Sequence, residues 1–468
     1  MHNVDTRVGQ IGNLRPIGNR PGAGNELFNG PINNRPQVTN LPYKIFRLLL
    51  MLFMVAVLFA QPAQPPSEQK ETTHQYSLPP DKLQKAIDYS TARNWLHFIS
   101  PPYGIAVLLA TLTFGWSAKF RDWAEAASRR RSIQAIIFVP LLILTIDLLS
   151  LPLGIYEQHL ERVFDQSIQG WPSWVWDWTK GELITLALAT LLVFILFGVI
   201  RRSPRRWWFY FWLASLPIIF TVALLEPFVI EPMFFKFEPL ATKHKALVDE
   251  LEKVVARGGL AIPPDRMFEM QASEKLKSLN AYVTGFGASK RVVVWDTMLE
   301  KATTPETLFV FGHEMGHYVL GHVRNSLIVS SLAALLLLLA GFHVLHWLLR
   351  RRGGQWVIRD VTDWAVLPLM LLLVSITGFL GEPVINAYSR WQEHQADIYG
   401  LEVIHGLVPD SKAVAAHSFQ VLGEVDLEEP NPNPLIKFWS YSHPSISERV
   451  AFAASYDPWS SGAQKYVK

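Results

Sequence analysis

The sequence predicts an α-helical multi-span membrane protein: seven transmembrane helices, with a small α+β domain assembled from two extramembrane segments. Three observations carry this. The 468 residues are 50% hydrophobic and only 18% charged, with a mean hydropathy of +0.16, whereas a soluble chain carries about a quarter charged residues. Seven apolar runs approach the roughly 20 residues that a bilayer core about 30 Å thick requires. Between and after them lie two stretches with Lys, Glu and Asp at soluble frequency. The 17 Trp and 27 Phe suit aromatic belts at a bilayer surface. A net charge of +3 gives no case for nucleic acid as a partner. There is no Cys, hence no disulfide, thiolate metal site or cysteine nucleophile, and a catalytic metal must be held by His, Asp or Glu.

Taken in order, residues 1–43 are rich in Gly, Asn, Pro and Arg without apolar period and predict a disordered tail. Residues 44–230 form a membrane domain with five spans: Ile45–Ala60, Phe98–Ala118, Ser132–Tyr156, Leu183–Ile200 and Trp207–Val229. The first is short, and Leu58-Phe59-Ala60 makes a poor signal-peptide cleavage site, so it reads as a retained span. Residues 231–325 form the first extramembrane segment. Leu247–Val255 has helical spacing up to Gly258-Gly259, while Arg266–Gln271, Ala281–Gly287 and Arg291–Trp295 read as strands. Thr303, Pro305 and Glu306 mark a helix start with a capping box. Spans six and seven, Ser326–Leu349 and Trp364–Ala387, occupy residues 326–387, and residues 388–468 form the second extramembrane segment.

The helix that starts near Thr303 carries His313-Glu314-Met315-Gly316-His317. Two His at i and i+4 share one helix face and can ligate one ion, and the Glu between them can take a proton from a water on that ion. Zinc suits two imidazoles and a carboxylate with one position left open. The bland alternative is the polar face of a core helix. A third ligand is expected downstream, where Glu393 and Asp397 again stand at i and i+4. One carboxylate can bind the metal while the other accepts the second N–H of a ligating His. Glu382 and His394 are rivals for the third position. Glu382 lies inside a span, and His394 points about 100° from Glu393 on a helix, so Glu393 is preferred.

These segments resemble the type I CAAX prenyl proteases, zinc metalloendopeptidases with a thermolysin-like site in a seven-span membrane shell. The likeness runs from about Ile45 to Val450. It rests on Pro232–Leu240, Asn280-Ala281-Tyr282, Gly285-Phe286-Gly287, Lys290-Arg291, Phe311–His317, Leu320-Gly321-His322, Glu393–Asp397, Ser442-His443-Pro444 and Arg449. The resemblance implies one zinc per chain on His313, His317 and Glu393, with Glu314 as general base. It implies that Asn280 and Ala281 lie on a strand edge, where a substrate backbone can add as a further strand. In the same light His443 is the expected transition-state stabiliser, and Arg449 is expected to pair with a carboxylate, Asp397 first. The implied substrate is a peptide or protein, lipidated or membrane-associated, in CAAX-box processing or in clearance of membrane proteins. The competing class is a transporter or channel with a structural zinc site, although no repeated half or broken-helix pair is visible.

Other candidates have plainer readings. Asp147, inside the third span, faces protein or water because exposure to lipid costs on the order of 3 kcal/mol or more. His343 and His346 read as hydrogen-bonding groups near a span end, and Trp171, Trp174, Trp176 and Trp178 as an interfacial belt. Thirteen Lys and Arg fall in the three short loops after spans two, four and six, whereas Glu157–Glu182 has two beside five acids. The positive-inside rule then puts the catalytic face outside the cytoplasm, while the family resemblance puts it on the cytosolic side.

Overall fold

The computed structural model describes residues 75–285 and 290–467. The expected tail and first span lie outside these residues, as does part of the 285–290 hairpin. Among the described residues, six helices are long and apolar enough to cross a membrane. Helix α1 is Pro80–Thr113. The expected second span continued to Ala118, but Gly115 adopts φ 67° and stops the helix, and α2 (Trp116–Ala127) starts separately. A left-handed residue cannot continue a right-handed helix, and Gly adopts that φ without steric penalty. There follow α3 (Arg131–Val163), α4 (Trp171–Arg202) and α5 (Trp207–Leu225), which runs into a π turn at Glu226–Ile230.

At 1.5 Å per residue, α1, α3 and α4 are each roughly 50 Å long, well beyond the bilayer's hydrocarbon core of about 30 Å. Their overhanging ends wrap the extramembrane domain. Tyr89 Oη on α1 donates to Glu161 Oε1 on α3 at 2.7 Å, and Ser90 Oγ donates to Glu429 Oε2 at 2.8 Å. At the other end α2 is tied to the chain before the last span by Arg121 and Asp363, buried and 2.7 Å apart. Phe138, Phe197, Ile200 and Trp364 pack the core between the spans there.

The extramembrane domain contains β1 (Phe237–Pro239), α6 (Lys245–Arg257), β2 (Met267–Met270), β3 (Ala281–Thr284) and β4 (Arg291–Trp295). Strand β1 is too short to show an alternation and ends on Pro239, which is why sequence patterning passes over it. The sheet order is β1-β2-β4-β3. Strands β2 and β4 are parallel, and β3 pairs antiparallel with β4 in the register Ala281↔Val294. This leaves β3 at the sheet edge.

A short α7 (Asp296–Lys301) leads into α8 (Thr304–Val319), α9 (His322–Arg352) and α10 (Leu367–Ile404). Helix α10 is continuous over 38 residues, so the last span and the Glu393–Asp397 element are one rod. Helices α11 (Ser411–Val425), α12 (Pro434–Ser440) and α13 (Ile446–Ser455) close the domain. Its core joins Leu251, Val254, Phe309, Met315, Tyr399 and Phe419.

Candidate metal centre

Helix α8 begins with the expected capping box: Thr303 N–H donates to Glu306 Oε2 at 2.8 Å, and Pro305 fills the first turn. Satisfying these end groups fixes where the helix starts and so which face the two His present. Helix α10 crosses α8 at very close range. A Cβ on Gly312 would lie 2.7 Å from Val403 Cγ1, and one on Gly400 would lie 3.0 Å from the His313 backbone nitrogen. A side chain at either position would force its neighbours apart, and the crossing carries Glu393 and Asp397 up to the His-bearing face.

There His313 Nε2 and His317 Nε2 are 3.2 Å apart. Glu393 Oε2 is 3.2 Å from His313 Nε2, and Glu393 Oε1 is 3.4 Å from His317 Nε2. Donors held tetrahedrally at 2.0–2.1 Å from one zinc ion would stand about 3.3–3.4 Å from each other; the two imidazole nitrogens are close to that spacing and the carboxylate turns one oxygen toward each, a set that fits such an ion. Its donors are two imidazoles and a carboxylate, and Glu393 is buried. The two rivals are elsewhere: Glu382 pairs with His97 on α1 at 3.0 Å, and the His394 ring packs on Phe452.

Behind the donors, Asp397 Oδ1 is 2.8 Å from His313 Nδ1. Arg449 grips the same carboxylate with both arms, Nη2 to Oδ1 at 2.6 Å and Nε to Oδ2 at 3.1 Å, and rests on the Phe419 ring. Asp397 is 1% exposed and Arg449 9%. Burial opposes the charge on Arg449, but Asp397 outweighs it and holds the guanidinium above its usual value. On the open side, Glu314 Oε1 is 4.0 Å from His313 Nε2. Burial pushes the Glu314 carboxyl up, against the pull of His313 and His317. His443 Nε2 is 3.2 Å from Glu393 Oε2, and its Nδ1 is 2.8 Å from Ser442 Oγ. Burial lowers its pKa.

Two cavities, of about 500 and 570 Å³, meet at this point, and Asn280, Glu314 and His443 line both. Asn280 immediately precedes β3, and its carbonyl accepts from Trp295 N–H at 3.0 Å. Ala281 is the first residue of β3. The larger cavity is lined by Phe234, Phe235, Met270 and Trp295 together with the carboxylates of Glu226 and Glu231. The other carries Arg93, Asp426, Glu428 and Glu429.

His322 figures in the sequence only as part of the family likeness, with no role assigned to it. It is 3% exposed, and its Nδ1 lies 3.2 Å from His317 Nδ1. The available signal was a third His just after a Gly at the helix end. The secondary candidates lie apart from the centre: Asp147 bonds to Glu182 on the next span, and His346 Nδ1 sits 2.8 Å from Phe342 O. His343 lies on α9 against Phe342, and Trp171–Trp178 fall within the first turns of α4.

The model of peptidase family M48 matches residues 241–457, and that of the CAAX prenyl protease N-terminal region, five membrane helices, matches 46–236. A Bacillus subtilis (strain 168) protein named uncharacterized metalloprotease YhfN is 36% identical over 380 residues, covering 80% of this chain and 86% of its own. The chain belongs to peptidase family M48. CAAX prenyl protease 1 of Saccharomyces cerevisiae is 24% identical over 448 residues, covering 88% of this chain and 95% of its own. The crystal structure of S. mikatae Ste24p has the same fold, with a TM-score of 0.69 at 21% identity over 89% of this chain and 97% of that one. This M48 peptidase is thus a multi-pass membrane metalloendopeptidase acting on peptide or protein substrates. The transporter reading is not favoured.

Proposed function

We propose that the chain hydrolyses peptide bonds with one zinc per chain held by His313, His317 and Glu393. The observation that carries this is the pair of imidazole nitrogens 3.2 Å apart, faced by the two oxygens of Glu393 at 3.2 and 3.4 Å, at the junction of two cavities. Bound there, zinc supplies Lewis acidity, lowering the pKa of water and polarising the scissile carbonyl.

The chain's own residues do the rest. A substrate in extended conformation adds to the edge of β3 at Asn280 and Ala281, which draws the scissile bond past Glu314 and His443. Glu314 takes a proton from the attacking water as the new C–O bond forms. It then gives that proton to the leaving nitrogen as the C–N bond breaks. A carboxyl raised by burial is better matched to both transfers near neutral pH than an exposed one. With Nδ1 accepting from Ser442 Oγ, 2.8 Å away, the neutral His443 ring carries its proton on Nε2. That N–H donates to the carbonyl oxygen as negative charge develops. Asp397 accepts from His313 Nδ1, and Arg449 holds Asp397 in place.

Residues 44–230 and 326–387 serve as the membrane domain, and 231–325 with 388–468 as the protease domain. The relatives named CAAX prenyl protease lead us to assign lipidated or membrane-anchored polypeptides as substrates. In Glu314→Gln the full-length chain should keep its zinc and lose peptide cleavage, and uncleaved membrane-protein precursors should accumulate in cells. Cleavage at the wild-type rate would sink the assignment. The basic loops all lie at the end remote from the metal centre, which favours a catalytic face outside the cytoplasm. A single cysteine at Lys245, on the domain surface with a side chain 79% exposed, should react with an impermeant reagent in intact cells. Protection until lysis would put the site in the cytosol.

A further inference from the structure

We propose that His322 is a positioning residue for the metal centre: its Nδ1 accepts the hydrogen bond that fixes the tautomer and ring angle of His317. This rests on the zinc reading above.

A ligating imidazole uses one ring nitrogen for the metal. The other then carries the proton and needs an acceptor, and the acceptor orients the ring. His313 and His317 both turn Nε2 toward the cluster, so both need acceptors at Nδ1. His313 has Asp397 Oδ1 at 2.8 Å. For His317, the group recorded at Nδ1 is the Nδ1 of His322, 3.2 Å away, with the two rings at 77° to each other. For His317 to donate, His322 must be the neutral tautomer with its own proton on Nε2.

Helix geometry alone would not bring these rings together. On an uninterrupted helix a residue five positions on lies about 140° round the axis. Here α8 ends at Val319, Gly321 adopts φ +71°, and His322 opens the next helix. The left-handed turn folds His322 back beneath His317, and a side chain at 321 would strain it. From the other side, the His322 carbonyl accepts from Gln392 Nε2 at 3.3 Å. Gln392 precedes Glu393, so this side-chain contact ties the partner of the second ligand to the residue before the third. His322 reaches His317 through the nitrogen that faces away from the cluster, so it supports the ligand set without joining it.

The test uses the full-length chain in detergent or nanodiscs, with zinc affinity read by chelator competition and the visible spectrum read after Co²⁺ loading. His322→Phe keeps the bulk and removes the acceptor. It should weaken zinc binding about ten- to a hundredfold and alter the Co²⁺ bands. His322→Asn places an amide oxygen near the position of Nδ1 and should recover most of the affinity and the wild-type spectrum. If His322→Phe does not assemble, His322→Ala against His322→Asn gives the same comparison. Wild-type affinity in the Phe or Ala variant overturns the proposal. So does an Asn variant as weak as the one lacking an acceptor. A wild-type chain that takes up no zinc overturns the metal assignment and this inference together, a result separable from the other two.

Discussion

Removing the Asp397 carboxylate tests the link between folding and metal binding. Asp397 is 1% exposed and holds two groups at once: the His313 imidazole at 2.8 Å and the Arg449 guanidinium at 2.6 and 3.1 Å. In Asp397→Ala the guanidinium stays buried without its counter-charge, a change that typically costs about 3–5 kcal/mol. The ligand also loses its orienting acceptor, which adds about ten- to a hundredfold in metal affinity. Arg449→Met alone should be milder for the metal, because Asp397 still reaches His313, yet it leaves a carboxylate buried without its fork. With both removed, neither charge is stranded, so the double variant should be more stable than the sum of the two losses by about 2–3 kcal/mol. Thermal unfolding in detergent, with and without a chelator, separates the folding term from the metal term. Strict additivity in the chelated state would refute the view that Arg449 serves to hold Asp397.

Two further outcomes can be checked independently. His443→Ala should lose two to three orders of magnitude in kcat while zinc content stays at one per chain, since a preorganised donor to a developing oxyanion is worth about 3–4 kcal/mol; near-normal turnover would remove His443 from the reaction. Asp426, in the wall of the smaller cavity, has its carboxyl pushed up to about 7 by burial and by Glu428. Its folded pKa lies above the unfolded value of about 3.9, so the native chain binds the extra proton between pH ~4 and 7, and stability falls as pH rises through that window. Asp426→Asn should therefore flatten the pH dependence of unfolding and raise the melting temperature above pH 7; an unchanged profile would show that Asp426 does not titrate as stated.

The elements legible in the sequence are those whose information is local. The i, i+4 spacing of His313 and His317, the Thr303–Glu306 box and the long apolar runs all lie within a few turns of chain, and periodicity reports them. What the sequence left open depends on contacts between distant segments. The sequence prefers Glu393 over Glu382 and His394, but what brings it to the two His is where α10 crosses α8, a matter of Gly312 and Gly400 meeting Val403 and the His313 backbone. The end of α1 at Thr113 turned on the conformation of one glycine in an apolar run that continues past it. His322 went unassigned because its partnership with His317 depends on a left-handed turn, which spacing rules for regular helices do not cover. Strand β1 has three residues, too few for any pattern to register.

The continuity of α10 has a mechanical consequence. Its 38 residues, Pro383 among them, make a helix roughly 57 Å long, packed among the other spans at one end and carrying Glu393 toward the other. Membrane helices adjust to bilayer thickness by tilting, and a tilt of about 5° pivoting on the membrane end would sweep Glu393 through roughly 2 Å on an arm of about 25 Å, enough to open the donor triangle. The glycine crossing with α8 prevents this by clamping the rod within two turns of Glu393, at Gly400. One grip on the rod is therefore beside the chemistry. The other end is held as well, because Leu367, Leu369 and Leu372 are buried in the core between the spans, so the rod is gripped on both sides of the membrane rather than free to swing in it.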